Sequence, residues 1–320
     1  MSASLLEGAS LLEVKDLSLT RGGHSVLDSV SFTLDRGRTM GLVGESGAGK
    51  STVALALIGL IRPPEVGIEG AILFEGEDLV TLPEAEWKRI RGNHIAMIFQ
   101  DAAAALNPCF TLGQHMAEPL TRHLGLSRGA AREHALELLK RVEIADAERR
   151  LAAYPHELSG GMQQRAMIAM ALACEPRLLL ADEPTSALDV TIQSQIMKLI
   201  HEQVRGSDTS VIFVLHDLAL ASQVCDAIVV LYAGQVCEAG PSEAVLKDSR
   251  HPYTRALKSC VVHPGTEELR PLAGASPALE ELPAGCRFAP RCPKAQDKCR
   301  RTVPPLTANG AHRVACWFPD

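Results

Sequence analysis

The sequence contains no apolar run that approaches the roughly 18 residues needed to span a bilayer. Met1–Gly8 has no basic segment followed by an apolar core, which a secretory signal would require. The sequence also has no excess of positive charge. Its formal net charge is -6, which argues against a nucleic-acid-binding protein. We therefore expect a soluble, cytoplasmic protein with no nucleic-acid partner.

The fold does not need disulfide bonds for stability, because a chain of 320 residues with 46% hydrophobic content can build a large core. Disulfides are also rare in the cytoplasm. Nine cysteines nevertheless occur, in two groups. The scattered ones are interpreted as packed thiols: Cys109, Cys174, Cys225, Cys237 and Cys260. The clustered ones indicate metal ligands or redox groups, and they are Cys286, Cys292, Cys299 and Cys316.

The clustered cysteines have the spacings C-x5-C, C-x6-C and C-x16-C, without the close pairs that zinc sites usually use. Four spread thiolates suit a [4Fe–4S] cluster. Between the first and the last cysteine, Asp297 is the only acid, so the basic residues there could offset the negative charge of such a cluster. These basic residues are Arg287, Arg291, Lys294, Lys298, Arg300, Arg301 and Arg313. Zinc and reduced free thiols remain the alternatives.

Short apolar runs alternate with helical patterns, which predicts an α/β fold. Strands are predicted at 12–20, 39–43, 71–75, 95–99, 177–181, 210–215 and 227–232. Helices are predicted at 51–61, 132–142, 161–173 and 191–204. Residues 101–168 interrupt the strands and predict an inserted helical subdomain within a domain of residues 1–255. Residues 256–320, where Pro, Gly and Ala are frequent, predict a small Cys-rich extension.

The stretch GLVGESGAGKST, residues 41–52, has the phosphate-loop spacing G-x-x-x-x-G-K-[ST] between a predicted strand and a predicted helix. Glycines let backbone amides surround phosphate oxygens, and the helix N-terminus adds a favourable dipole. Lys50 would contact the β- and γ-phosphates, and the Ser51 hydroxyl would hold Mg²⁺. The predicted nucleotide-binding residues of the loop are Gly44, Glu45, Ser46, Gly47, Ala48, Gly49, Lys50, Ser51 and Thr52.

The stretch RLLLADEP, residues 177–184, is an apolar strand that ends in two carboxylates. Asp182 is predicted to hold Mg²⁺, and Glu183 to orient or deprotonate the attacking water. A carboxylate pair in a loop is usually only a solvated turn. The phosphate loop earlier in the chain favours the catalytic interpretation.

The stretch LSGGMQQR at 158–165 resembles the signature of ATP-binding cassette (ABC) ATPases. The other motifs follow the family's order, with Gln100 after a strand, SALD at 186–189 and His216 at a strand end. The resemblance covers about residues 10–250. It implies a P-loop ABC nucleotide-binding domain with a mixed sheet core, an antiparallel β subdomain and an inserted helical subdomain.

The resemblance also implies that two cassettes face head to tail, so that one subunit completes the other's ATP site. The residues implied to act in trans are Ser159, Gly160, Gly161, Gln163 and Asp189. Gln100 would contact the metal and the water, and His216 would hydrogen-bond the γ-phosphate, so both join Glu183 as implied catalytic residues. In this family an aromatic side chain usually stacks on adenine, whereas this sequence has Arg21 there, with His24 as a second candidate.

A narrower resemblance, to the oligopeptide, dipeptide and nickel importer ATPases, is carried by RGNHIAMIFQDAAAALNP (91–108), HPYTRAL (251–257) and the tail CRFAPRCPKAQDKC. That branch usually has Pro and Ser where this sequence has Ala102–Ala105. The resemblance implies ATP hydrolysis coupled to uptake of peptides or a similar small solute. The implied partners are a second ATPase subunit, identical or paralogous, two transmembrane permease subunits and, indirectly, an extracytoplasmic solute-binding protein. It further implies a peripheral location on the cytoplasmic face of the inner membrane and an iron–sulfur cluster in the tail.

Two other classes compete with this interpretation. A soluble ABC ATPase that acts on nucleic acid or the ribosome would need a long coiled coil between the phosphate loop and the signature, or two cassettes in one chain. This sequence has one cassette and no sustained heptads there. A cluster-bearing redox sensor is the other alternative, and the intact Glu183 argues against it because a sensor does not need a hydrolytic site.

Overall fold

The computed structural model of the chain describes residues 10–184, 190–260, 272 and 274–320. These residues belong to two compact units. The first comprises the chain up to Leu82 together with Phe213–Asp320, and the second comprises Pro83–Ile212. None of the described helices is long and apolar enough to cross a membrane.

The strands are β1 (Ser10–Arg21), β2 (His24–Asp35), β3 (Thr39–Val43), β4 (Gly67–Phe74), β5 (Glu77–Asp78), β6 (Ile95–Ile98), β7 (Leu178–Asp182), β8 (Ser210–Leu215), β9 (Ala227–Tyr232), β10 (Gln235–Pro241), β11 (Thr307–Asn309) and β12 (His312–Val314). The helices are α1 (Lys50–Leu57), α2 (Glu84–Ile90), α3 (Ala102–Ala105), α4 (Leu112–Leu124), α5 (Arg128–Arg141), α6 (Ala147–Arg150), α7 (Gly160–Leu172), α8 (Val190–Val204), α9 (Leu218–Val224), α10 (Ser242–Lys247), α11 (Pro252–Ser259) and α12 (Asp297–Arg301). Short 3₁₀ turns add Leu79–Thr81, Pro155–Glu157, Leu279–Glu281 and Ala289–Arg291.

The first unit contains an antiparallel sheet in the strand order β2-β1-β4-β5. β1 and β2 form a hairpin in which Arg21 pairs with His24 across the turn. Gly22 and Gly23 make that turn with φ of 58° and 82°. Two successive positive φ values give the turn that matches the strands' twist, and glycine adopts them without steric penalty.

The same unit contains a mixed sheet segment in the order β11-β12-β10-β9-β3. β3 runs parallel to β9, whereas the β9–β10, β10–β12 and β11–β12 pairs are antiparallel. Both β3 and β9 are almost entirely buried, as continuous apolar sequences in a parallel pair require. The parallel pair therefore forms the core against which the phosphate loop is built.

A buried carboxylate on β10 contacts the C-terminal hairpin β11–β12 at the edge of this sheet. Glu238 on β10 is 0% exposed. It accepts hydrogen bonds from the backbone N–H groups of Arg250 (2.7 Å) and His251 (3.1 Å), and lies 2.8 Å from Nε2 of His312 on β12. These partners satisfy a group that would be costly to bury alone.

The second unit contains the parallel pair β6–β7, and β8 follows β7 in the strand order. β8 crosses the boundary between the two units along the chain. Helices α3 to α7 lie between β6 and β7 in sequence. Four of these five helices are capped by side chains at their N-termini, by Asp101 on α3, by a capping box of Thr111 and Gln114 on α4, and by Ser127 and Ser159 on α5 and α7.

The predicted α/β fold with a mixed sheet and an antiparallel sheet is confirmed. Each predicted strand and helix overlaps an observed element, and the bounds of β3, β8 and β9 agree with the predicted ones. The strands β2, β5, β10, β11 and β12 and the helices α2, α9, α10, α11 and α12 were missed, whereas α3, α4 and α6 fall within the stretch 101–168 that was predicted to be helical without individual bounds. The division into residues 1–255 and 256–320, with a helical subdomain at 101–168, remains a prediction.

An aromatic cluster joins the Cys-rich segment to the rest of the first unit. Phe288 packs edge-on against Tyr232 of β9, with ring centroids 5.2 Å apart, and lies 5.4 Å from Tyr253 of α11. Tyr232 and Tyr253 are themselves 4.6 Å apart. All three rings are at most 1% exposed. Burial of apolar side chains thus anchors the Cys-rich segment to the rest of the unit.

We predict that Phe288→Ala lowers the free energy of unfolding of this unit by about 3–5 kcal/mol, because the ring leaves a cavity in a packed cluster. Urea denaturation followed by circular dichroism would measure the loss. The matched control is Val303→Ala in the same segment, since Val303 is 45% exposed and its truncation should change stability by no more than about 0.5 kcal/mol. Equal midpoints for the two variants would contradict the anchoring role of Phe288.

Candidate functional site

The phosphate loop, residues 44–51, connects β3 to α1 and is shaped by close backbone contacts. A Cβ placed on Gly44 would lie 2.2 Å from the carbonyl oxygen of Leu231, so no larger residue fits there. Gly47 and Gly49 have φ of 79° and 98°, in the region that favours glycine. The carbonyl of Ala48 accepts a hydrogen bond of 2.9 Å from the N–H of Gly234. The loop therefore keeps its backbone close to a turn of the core sheet.

Lys50 is the first residue of α1 and is 4% exposed. Its ammonium donates hydrogen bonds of 2.9 Å to the carbonyl oxygens of both Gly44 and Glu45, and lies 3.3 Å from Nδ1 of His216. The predicted cation and the predicted strand-end histidine are thus neighbours. A buried ammonium that is held by the loop's own carbonyls can exchange these acceptors for phosphate oxygens with little movement.

Glu45 is the loop residue with the most contacts to the tail. Its carboxylate accepts hydrogen bonds from Arg291 and Ser276, and its N–H donates to the Tyr253 hydroxyl over 2.8 Å. The hydrogen bond from Arg291 is the main reason that the pKa of Glu45 lies below its usual value. The sequence placed Arg291 among the charges around the cysteines and Tyr253 within the motif HPYTRAL, but it did not predict the contact of either residue with Glu45.

In the second unit, Glu183 follows the last residue of β7 and Gln100 follows β6. The amide Nε2 of Gln100 donates a hydrogen bond of 2.9 Å to Oε2 of Glu183. Glu183 has a left-handed backbone, with φ of 43°, which non-glycine residues rarely adopt. Asp182, at the end of β7, is buried. The structure therefore brings together two of the predicted catalytic side chains, next to the predicted metal ligand.

The signature stretch forms the N-terminus of α7. The Ser159 hydroxyl caps the helix by accepting from the N–H of Met162, and Gly160 and Gly161 have open space around their Cα atoms. The Gln163 amide donates to the carbonyls of Pro155 (2.7 Å) and Leu158 (3.3 Å), which fixes the turn before the helix. Gln164, which sequence analysis missed, is buried and donates to the carbonyl of Pro184 over 2.8 Å. Asp189 lies outside the described residues.

The two candidates for adenine recognition flank one hairpin turn. Arg21 ends β1 and is exposed, and His24 begins β2 and is half-buried. Their backbones pair directly. Recognition of adenine by either side chain remains a prediction.

The four clustered cysteines line one cavity, together with His251, Phe288, Lys294 and Trp317. Burial raises the pKa of the Cys286 thiol to about 11 and raises the pKa values of Cys292 and Cys316. None of the described residues that line the cavity is acidic. Within the described ranges, no three His, Cys, Asp or Glu side chains form a group that could hold a metal ion.

The predicted surplus of positive charge around the cysteines is smaller than the sequence indicated. Arg287 pairs with Asp28 over 2.8 Å, Arg291 with Glu45 over 2.6 Å, and Lys294 with Asp320. The sequence indicated too large a surplus because the acids that pair with these cations lie outside the stretch between Cys286 and Cys316. Folding brings acids from β2, the phosphate loop and the last residue of the chain to these cations.

The prediction that all five scattered cysteines are packed thiols is wrong for two of them. Cys174, Cys225 and Cys237 are buried, and burial raises the pKa of each. Cys109 and Cys260 are exposed. Cys109 lies in a turn after α3, and Cys260 is the C-cap residue of α11. Neither residue therefore lies on a helix or strand face that packs against the core.

Comparison with known proteins gives matches over nearly the whole chain. The ABC transporter family model matches residues 27–186, and the model for the oligopeptide/dipeptide transporter C-terminal region matches residues 237–299. The chain is 43% identical to the dipeptide transport ATP-binding protein DppD of Haemophilus influenzae, covering 97% of this chain and 96% of that protein. It is 45% identical to the protein of the same name from Bacillus subtilis, covering 97% and 95%.

Solved structures show a similar fold. A dimeric ATP-binding cassette, MJ0796, in a post-hydrolysis state bound to ADP and Pi has a TM-score of 0.64 and 30% identity, covering 72% of this chain and 98% of that one. CbiO1 of Clostridium perfringens, part of the transporter complex cbiONQ, has a TM-score of 0.64 and 27% identity, covering 74% and 90%.

We predict that a thiol reagent modifies Cys109 and Cys260 of the native protein rapidly. Cys225 and Cys237 should react only after unfolding, because both are buried and hold their protons. Mass spectrometry of the labelled peptides separates the sites, and the same labelling in denaturant controls for intrinsic reactivity. Modification of Cys237 as fast as that of Cys109 in native protein would show that the described packing is wrong.

Proposed function

The chain belongs to the ABC transporter family, and on that premise we propose that it is the ATP-hydrolysing subunit of an importer for peptides. The observation that carries this proposal is the similarity, over almost the full length, to ATP-binding proteins that are named for dipeptide and peptide import. The match to the oligopeptide/dipeptide transporter C-terminal region also favours the importer over a nucleic-acid-linked ATPase or a redox sensor.

ATP would be held by the phosphate loop, with residues 44–52 around the phosphates and Lys50 moving from the carbonyls of Gly44 and Glu45 to phosphate oxygens. Support comes from the closely packed loop backbone and from the buried ammonium. Ser51 and Asp182 would hold Mg²⁺ with Gln100 near it, and the ion, when bound, offsets phosphate charge. Arg21 or His24 would stack on adenine.

Hydrolysis would depend on Glu183 as the proton acceptor of the attacking water. Its hydrogen bond with Gln100 supports this role, because the amide holds the carboxylate in one orientation. Gln100 would also orient the water. His216, next to Lys50, would hydrogen-bond the γ-phosphate and stabilise the charge that develops there.

A second cassette, identical or paralogous, would complete each ATP site. Ser159, Gly160 and Gly161 support this proposal, because they present an unobstructed helix N-terminus to which a partner's γ-phosphate could bind. Gln163 would act by keeping the signature turn in place. Asp189 is proposed for the contact between the two cassettes.

Transport would require two transmembrane permease subunits on separate chains, with an extracytoplasmic solute-binding protein delivering the cargo to them. The ATPase would then be peripheral, on the cytoplasmic face of the inner membrane. Phe99 and Phe110, which bracket the segment after Gln100, are exposed large apolar residues and support docking of a permease there. Ala102–Ala105 form the short helix α3 in that segment, so this chain would present small side chains to its permease.

We predict that Glu183→Gln retains ATP binding but lowers the hydrolysis rate by about 10²-fold or more, because an amide cannot accept the proton. Phosphate release by the chain assembled with its permease subunits measures turnover, and a fluorescent nucleotide measures binding.

Glu175→Gln is the matched control for this variant, because Glu175 also has a left-handed backbone, with φ of 49°, but is exposed at the end of α7. It should hydrolyse ATP at the wild-type rate. Near-normal turnover by Glu183→Gln would remove Glu183 from the mechanism.

The four clustered cysteines, Cys286, Cys292, Cys299 and Cys316, are proposed to hold a [4Fe–4S] cluster. The donor set fits, since four thiols and no carboxylates line one cavity. The spacings C-x5-C, C-x6-C and C-x16-C lack the close pairs that zinc sites usually use, and so favour the cluster over zinc. Binding would draw the thiols together and remove their protons, and would thereby stabilise a segment of low apolar content.

We predict about four iron and four sulfide per chain after anaerobic purification, with visible absorption that is lost in Cys286→Ser. Iron and sulfide analysis together with the spectrum measures this. Cys260→Ser, which removes an exposed cysteine outside the cavity, should leave both unchanged. A colourless protein with one zinc, or with all thiols free and no metal, would refute the cluster.

A further inference from the structure

The segment that carries the clustered cysteines also neutralises a charge in the phosphate loop. Arg291 donates to both carboxylate oxygens of Glu45, with distances of 2.6 Å from Nη1 and 3.1 Å from Nη2. Ser276 donates a third hydrogen bond of 2.9 Å to the same carboxylate. The Arg291 side chain is 6% exposed and that of Glu45 is 29% exposed. A bidentate pair with one partner buried is screened little by salt and defines one geometry.

Glu45 connects this pair to the nucleotide-binding lysine. Its carbonyl accepts from the ammonium of Lys50 over 2.9 Å, and its N–H donates to the Tyr253 hydroxyl over 2.8 Å. One residue of the phosphate loop is therefore held at its side chain by Arg291, at its N–H by α11 and at its carbonyl by Lys50. A displacement of the Glu45 carboxylate would move a carbonyl that positions Lys50.

An acidic residue is electrostatically unfavourable in a loop that binds a polyanion. Glu45 contributes a negative charge to the same short segment whose amides and lysine would receive phosphate. Arg291 offsets that charge, and its guanidinium stays protonated. Without Arg291 the carboxylate would repel nucleotide phosphates, and the repulsion would grow with the number of charges on the nucleotide.

The placement of Arg291 depends on the fold of the Cys-rich segment. Arg291 ends the 3₁₀ turn Ala289–Arg291, and the next residue is Cys292, whose N–H donates to the carbonyl of Ala289. Four residues earlier, Arg287 donates to the carbonyl of Ala233 and to Asp28 on β2. The segment thus contacts the rest of the first unit through two arginines with buried side chains, one on either side of Phe288.

We propose that Arg291 is a positioning residue for nucleotide binding, which neutralises Glu45 and thereby couples the folded Cys-rich segment to the affinity of the phosphate loop for ATP. This inference rests on the proposed binding of ATP by the loop. It does not depend on which metal, if any, the cysteines hold.

The test measures dissociation constants of the full chain for Mg-ATP and Mg-ADP by calorimetry. Arg291→Ala should weaken ATP binding about tenfold, and should weaken ADP binding less because ADP carries one negative charge fewer. The difference from wild type should shrink between about 0.05 M and about 0.5 M NaCl, because salt screens the repulsion. Arg300→Ala is the matched control, since Arg300 lies beside Cys299 in the same segment and is exposed. It should bind both nucleotides like the wild type.

A merely structural role for Arg291 would not produce charge rescue. Glu45→Gln in the Arg291→Ala background should restore most of the lost ATP affinity, because it removes the uncompensated charge. Arg291→Lys should retain most of the affinity. Arg291→Gln, which keeps polarity without charge, should show the ATP-selective loss and serves as the second charge-removing variant if Arg291→Ala does not fold.

The outcomes separate this inference from the proposed function. A wild-type chain that does not bind ATP would overturn both. A wild-type chain that binds ATP, with folded Arg291→Ala or Arg291→Gln of equal affinity, would overturn only the role of Arg291. A loss that is equal for ATP and ADP, insensitive to salt and not rescued by Glu45→Gln would also overturn it.

Discussion

The phosphate loop is held in place by backbone packed directly against backbone. A Cβ on Gly44 would lie 2.2 Å from the carbonyl oxygen of Leu231, and one on Gly234 would lie 2.2 Å from that of Val26. The loop, the turn between β9 and β10, and strand β2 therefore meet at contacts that admit glycine alone. Lys50 and Glu45, together with the tail residues that contact Glu45, take their positions from this arrangement, because a shift of the turn would displace the loop with it.

The Cys-rich segment belongs structurally to the nucleotide-binding unit. Phe288 is enclosed by Tyr232 and Tyr253, and the arginines on either side of it pair with Asp28 and Glu45. Apolar burial and buried charge pairs act together here. The aromatic cluster excludes water, which strengthens the charge pairs, and the pairs in turn fix the orientation of the segment. A metal centre would then add to a contact that the polypeptide already makes.

The sequence predicted most of the sheet and the positions of the phosphate loop and of the Asp182–Glu183 pair at strand ends, because these signals are local. The runs at 39–43, 210–215 and 227–232 are short and almost entirely apolar, which is typical of buried strands, and the phosphate loop has fixed spacing. By contrast, β10 contains Glu238, which is polar in sequence and becomes acceptable in the core only through partners as distant as His312. The pair of Arg291 with Glu45 joins residues that are far apart in the chain, so no local pattern could predict it. The exposure of Cys109 and Cys260 was missed for the same reason, because it depends on what surrounds each thiol in three dimensions.

The left-handed backbone of Glu183 has a consequence for engineering this chain. A side chain in that conformation costs roughly 1 kcal/mol relative to glycine, and Asn tolerates it better than Glu. Selection for heat resistance alone would therefore favour Gly or Asn at position 183, and each would remove the proposed proton acceptor. Variants selected only for a higher melting temperature would therefore include cassettes that fold but do not hydrolyse ATP. Turnover has to be included in each round of such a selection, because one of the positions at which a substitution would relieve strain is also the proposed proton acceptor.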